Sequence, residues 1–157
     1  MTSDRKKSVT EIGQITINYS NLEFTIQSLI WLLIGCDTKK GQAITTGLNF
    51  NILLKMLLAL SENSKLTVNI KTSIRKTAFN IEKVCEKRNT LIHSTILLSD
   101  DGNIGAFRYT NKGPKGIKNN SKIHSFIDLE NISNEIFSLS NELAKLHGQI
   151  VNSNIQL

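Results

Sequence analysis

Apolar residues recur along this chain with two different periods. Ile12, Ile15, Tyr19, Leu22, Ile26, Leu29 and Leu33 are spaced alternately by three and four, which draws one stripe along a helix. Phe24, Ile30, Trp31 and Leu32 widen the stripe near its end, so this helix is expected to pack on two sides. Ser8-Val9-Thr10-Glu11 has the form of a capping box at its start, and Gly35 supplies a stop. A short helical piece over 41–46 follows, ended by Gly47. Residues 51–60 resume with strong helix formers, and Ser61-Glu62-Asn63-Ser64 is expected to break them. A long helix is then expected over about 67–93, with Ile70, Ile74, Ile81, Val84 or Cys85, and Ile92 toward the core.

The period then shortens to two. Residues 94–98 and 104–109 flank Asp100-Asp101-Gly102-Asn103, which is strong hairpin chemistry. Residues 111–122 read as a loop rich in Gly, Lys and Asn, and 123–127 as a third short strand. Asp128 is expected to cap a last helix, in which Leu129, Ile132, Ile136, Leu139, Leu143, Leu146 and Ile150 again step by three and four. The expected fold class is all-α: a single domain over 1–157, an antiparallel helical bundle with a small β-hairpin insertion at about 95–127.

Composition narrows the function classes. The 157 residues carry 39% hydrophobic content and a net charge of +6, with a pI near 9.4. That balance suits polyanion partners or simple solubility. No apolar run approaches the roughly 20 residues of a membrane span, and the basic start lacks a signal-peptide core, so a cytoplasmic location is expected. Cys36 and Cys85 show no metal-type pairing and are expected to be buried small apolar groups. Neither a metal nor a cofactor is called for. Glycine-rich phosphate loops, zinc-protease motifs and nucleophile elbows are all missing from the sequence.

The charge is uneven. Between 65 and 88 seven basic residues face two acidic ones, a net +5. At the end of that basic helix stands Arg88-Asn89-Thr90-Leu91-Ile92-His93. On a helix Asn89 and His93 share a face, with Arg88 one position round. Histidine titrates near neutrality and suits acid–base work on a phosphate held by arginine. The competing reading makes Arg88 and His93 cations favourably placed at a helix C-terminus.

Arg-Asn-x-x-x-His at the end of a long helix in a small helical protein resembles the HEPN family (higher eukaryote and prokaryote nucleotide-binding). The resemblance implies a metal-independent endoribonuclease with Arg88, Asn89 and His93 as catalytic residues. It also implies a homodimer whose two motifs share one cleft, and a toxin or antiviral-defence role with an antitoxin or defence-system partner. Members paired with a nucleotidyltransferase carry a tyrosine soon after the histidine, where this chain has Ser94-Thr95-Ile96-Leu97. The rival reading is a non-catalytic helical module that binds RNA or protein.

Weak RNA contacts are expected from Lys83 and Lys87 on the basic helix, while Lys112, Lys115, Lys118 and Lys122 read either as a solvated, flexible loop or as an electrostatic rim that holds RNA phosphates. Arg108 and Tyr109 either stack on a base or pack on the sheet. His124 and His147 read as structural or exposed, and Asp100 and Asp101 as turn residues. The wide apolar surface at the end of the first helix is a candidate dimer face.

Overall fold

A computed structural model describes residues 2–111 and 117–153. The order is α1 (Ser3–Leu33), α2 (Thr38–Thr45), α3 (Phe50–Asn63), α4 (Val68–Ile92), β1 (Thr95–Leu98), β2 (Ile104–Asn111), β3 (Ile117–His124) and α5 (Phe126–Asn152). The protein is therefore mostly helical with one small antiparallel sheet, in strand order β1-β2-β3. No described helix is long and apolar enough to cross a membrane.

Contacts divide the chain into two compact units, Met1–Ile17 with Lys83–Glu135, and Asn18–Glu82 with Ile136–Leu157. The second is helical. Its core takes Leu22, Ile26, Leu29 and Ile30 from α1, Leu53, Leu54 and Leu57 from α3, Ile74 and Ile81 from α4, and Ile136 and Leu143 from α5. All seven apolar positions expected on the last helix are buried. α1 ends as glycine chemistry demands. Gly35 lies at φ +64°, its amide donates to the Leu32 carbonyl, and the Cys36 amide donates to Trp31 at 3.1 Å, the two bonds of a Schellman motif. Cys36 is consequently only half-buried, whereas Cys85 is buried as expected.

The apolar end of α1 is covered from within this unit. The Trp31 indole lies against Gly41, where an added Cβ would fall 2.3 Å from the ring. Its Nε1–H donates to Thr45 Oγ1 at 3.1 Å. Only Phe24 of that widened stripe is exposed, edge-on to Trp31. The candidate dimer face expected there is corrected at Trp31, which α2 covers. α2 itself starts three residues earlier than expected, because Asp37 caps it through the Lys40 amide. α3 is capped by Asn49 and runs through Ser61-Glu62-Asn63 rather than stopping there. Ser61 Oγ donates to the Leu58 carbonyl and Asn63 Nδ2 to the Ala59 carbonyl, so these side chains bond back onto the helix instead of ending it.

The first unit carries the sheet. β1 and β2 pair in the register Thr95↔Phe107 to Leu98↔Ile104, joined by the expected turn with Gly102 at φ +84°. β2 pairs with β3 from Ile104↔His124 to Asn111↔Ile117. β3 thus lies six residues earlier than the sequence pattern suggested. Its Lys, Asn and Ser side chains lack hydrophobic alternation because it is an edge strand, where polar and charged residues are tolerated. The next residues, 126–127, belong to α5. Its cap is Ser125 rather than Asp128: the Ser125 amide donates to Asp128 Oδ2 at 2.8 Å, and the Asp128 amide to Ser125 Oγ at 3.2 Å. This reciprocal pair is a capping box with aspartate in the glutamate position, and the bonds that the Ser125 amide and hydroxyl donate to Asp128 Oδ2 hold its carboxyl below the ordinary range.

Ser8 is likewise no cap. α1 begins five residues earlier, where the Arg5 amide reaches Thr2 Oγ1 at 3.4 Å. Ser8 instead sits buried in mid-helix, and its Oγ donates to the Gly102 carbonyl at 2.6 Å. Thr2 Oγ1 donates to the Asp100 carbonyl at 2.8 Å, so the start of α1 clasps the hairpin turn.

Candidate functional site

The site grows from the last turns of α4. Val84, Cys85 and Leu91 turn into the core of the first unit, and this anchors the remaining positions outward. Arg88 and Asn89 are half-buried, and His93 is exposed one residue beyond the helix end. The His93 amide still donates to the Asn89 carbonyl at 3.1 Å, completing the last turn. Arg88 Nη1 donates to Asn89 Oδ1 at 3.0 Å. The asparagine carbonyl thereby fixes one edge of the guanidinium, whose planar fork carries four further N–H donors. What the arrangement offers chemically is a permanent cation oriented by an amide, and an accessible imidazole one turn further on.

The lysines sort differently. Lys83, Glu86, Lys87 and Thr90 line a cavity of about 410 Å³ together with Lys122 and His124 of β3. At 3.6 residues per turn, those four α4 positions centre roughly 150° around the helix from Arg88. The basic stripe therefore does not face the way Arg88 does. Lys87 is held by Glu135 at 2.7 Å. Farther up α4, Arg75 is paired with Glu62, which draws the Glu62 carboxyl down and the guanidinium up. The basic helix is thus partly neutralised along its length.

Strand alternation settles Arg108 and Tyr109. Even-numbered positions face inward: Ile104, Ala106 and His124 are buried, and Arg108 beside them is half-buried. Tyr109 points to the opposite face and is 67% exposed. The two do not form one contact. Leu97 and Ile123, registered through Gly105, share the outer face with Tyr109 and are also exposed. Lys118 and Lys122 are exposed on β3. Lys112 and Lys115 lie outside the described residues. Asp101 accepts from the Asn103 amide at 3.1 Å and from Asn103 Nδ2 at 2.8 Å, as a turn residue should. Among the described residues no group of three or more His, Cys, Asp or Glu side chains gathers to hold a metal ion.

His124, expected to be structural or exposed, is the buried kind. It is 2% exposed, and neither ring nitrogen has a hydrogen-bond partner among the described residues. Burial, reinforced by the Lys122 charge and opposed by Asp128, holds its pKa below the usual imidazole value. The ring is therefore neutral at pH 7. Only its register opposite buried Ile104 would have signalled this, and register was not readable from a polar strand.

No protein-family model, curated protein or solved structure matches the chain.

Proposed function

We propose that the protein is a metal-independent endoribonuclease of the HEPN type, in which Arg88, Asn89 and His93 form half of a composite site. The observation that carries this reading is the Arg88–Asn89 hydrogen bond, which presets a cation through an asparagine one turn before an exposed histidine. In the reaction a ribose 2′-hydroxyl loses its proton to one imidazole and its oxygen attacks the adjacent phosphorus. The bond from phosphorus to the 5′-oxygen breaks, and a second imidazole returns a proton to that oxygen. The products are a 2′,3′-cyclic phosphate and a 5′-hydroxyl. Arg88 stabilises the charge that builds on the phosphoryl oxygens, and Asn89 positions Arg88.

Each chain has one histidine in this position, and efficient transfer uses one base and one acid. A two-fold pair of chains supplies both. The proposed partners are thus a second copy of the chain and RNA, acting in the cytoplasm as a toxin or defence effector with its own neutralising or triggering protein. Incubation with RNA and with DNA of the same sequence, in the presence of a chelator, tests the reading. RNA is cut to cyclic-phosphate ends, DNA survives, and His93→Ala is inactive. Equal RNA binding by wild type and His93→Ala with no cleavage by either would overturn it in favour of a binding module.

A further inference from the structure

The outer face of the sheet lies opposite the side on which Ile104, Ala106 and His124 are buried, and nothing in the proposed cleavage uses it. Its middle strand, β2, presents Phe107 and Tyr109 there, two positions apart. Tyr109 is 67% exposed and Phe107 half-buried. Gly105, the preceding position on that face, explains the posture of Phe107. A Cβ on Gly105 would fall 2.8 Å from Cε2 of the Phe107 ring and 3.3 Å from Cζ. The ring therefore lies down along the strand, in the space the glycine leaves, with one side on the sheet and the other outward.

The surroundings of the two rings are polar and uncharged. Among the described odd-numbered positions of the three strands, which make up this face, none carries a charge. Pairing sets Thr95 and Ser121 on either side of Phe107, and Asn119 beside Tyr109. The Ser121 hydroxyl donates to Asn119 Oδ1 at 2.9 Å, which leaves the amide N–H groups of Asn119 to donate elsewhere. The exposed aliphatic side chains, Leu97 and Ile123, stand in the row of Gly105, toward the turn. There an open groove of about 400 Å³ reaches Asp101.

We infer that this face is a stacking platform for single-stranded RNA, which lays one base on Tyr109 and the next on Phe107 and meets a base edge with Asn119. The inference rests on RNA being the partner, as proposed above, and not on His93 cutting it. A base has apolar faces and polar edges, and two flat rings bordered by hydroxyl and amide groups match both; the core of a protein interface is apolar throughout. Side chains two apart on a strand stand about 7 Å apart, roughly twice the 3.4 Å rise of stacked neighbours. Each ring thus takes its own splayed base. Asp101 repels phosphates at the turn, so the strand runs from Phe107 past Tyr109, away from it. The hold is stacking rather than charge, and affinity should fall only weakly with salt.

The test follows the Phe107 and Tyr109 ring resonances of the full chain by NMR. Titrants are a four-nucleotide 2′-O-methyl RNA, which has no free 2′-hydroxyl to attack, and an abasic strand of equal length. Saturable upfield shifts of both rings are expected with the RNA and none with the abasic strand. Tyr109→Ala weakens RNA binding by about 5- to 100-fold, as removal of one base–aromatic stack does, whereas Tyr109→Phe keeps it. Gly105→Ala, whose methyl lifts the Phe107 ring from its seat, weakens it as well. Equal shifts with the abasic strand, or unchanged affinity in Tyr109→Ala, would overturn the inference. So would dissociation of a pair of chains in Tyr109→Ala, seen by sedimentation, with RNA affinity unchanged, which would assign the face to a second copy. Ring shifts that persist in His93→Ala would support the platform whether or not that histidine cleaves, so the two proposals fail separately.

Discussion

Replacing His124 by leucine should stabilise the unliganded protein. Both imidazole nitrogens are shielded from solvent with no described partner, and a buried unsatisfied polar group costs about 1–3 kcal/mol. Leucine is of similar size and keeps the packing against the core residues around Ile104. It removes the polar penalty while creating little cavity, so a gain of about 1–2 kcal/mol is expected. In a chain of this length that corresponds to a rise in Tm of about 2–8 °C. The effect should also depend on pH in a defined direction. The folded-state pKa of His124 lies below its ordinary 6.5, so below about pH 6.5 the unfolded chain takes up a proton that the folded chain resists. Wild-type stability therefore falls as pH drops from 6.5 toward the folded-state pKa, and the leucine variant lacks that component. Urea unfolding followed by far-ultraviolet circular dichroism, at pH 7.5 and 5.5 in phosphate-free buffer, measures both quantities. The advantage of the variant should widen at pH 5.5. A loss of 1 kcal/mol or more at pH 7.5 with an unchanged m-value would refute the reasoning, since it would mean that the ring is satisfied by the fold itself.

Two other substitutions probe the supports of the two units. Gly41→Ala places a methyl group inside the Trp31 ring. The overpacking penalty of about 1–3 kcal/mol is offset by about 1 kcal/mol of helix propensity, and displacement of the ring also breaks its bond to Thr45. A net loss of about 2 kcal/mol, with a changed Trp31 fluorescence maximum, is expected from thermal unfolding. Ser8→Ala removes the buried bond to the Gly102 carbonyl and should cost about 1–2 kcal/mol. Hydrogen exchange should rise first at the hairpin amides of Ser99 and Gly102, which bond within that turn.

Helices with long apolar stripes were legible because burial and periodicity agree. Every step of the α5 stripe, from Leu129 to Ile150, is buried. Element ends were less so, because one side chain serves several purposes. Ser8 has the sequence context of a cap, yet it is buried in mid-helix, since its hydroxyl finds the Gly102 carbonyl 94 positions away. Ser125 and Asp128 form a box whose two members are hard to rank from sequence alone. The same limit applies to chemistry. Arg88, Asn89 and His93 are neighbours in sequence, so their proximity on α4 follows from helix geometry. The cavity joins Lys83 and Lys87 to Lys122 and His124 only through the pairing of β3 with β2, and a polar edge strand gives no periodic signal from which to fix its register.

The separation of Arg88 from the lysines of α4 has a consequence for the cleavage proposed above. Arg88 with His93 offers the groups that transition-state chemistry needs, yet few that distinguish one strand from another. Lysines on the other face add attraction that falls with salt and carries no base information. Were all the positive charge pooled around Arg88, ground state and transition state would be bound alike, which lowers KM without raising kcat. Placing the lysines away from Arg88 keeps general phosphate attraction apart from the guanidinium that the proposed cleavage uses. At 3.6 residues per turn His93 lies about 140° round α4 from Arg88 and about 70° from the centre of the lysine positions, so in the proposed reaction the guanidinium and imidazole that meet one phosphate are more readily supplied by different chains. The effects of Arg88→Ala and His93→Ala on cleavage should then be strongly non-additive, as for groups that act as one unit. Simple additivity within about 0.5 kcal/mol in that double-mutant cycle would show that the two groups do not act on one phosphate.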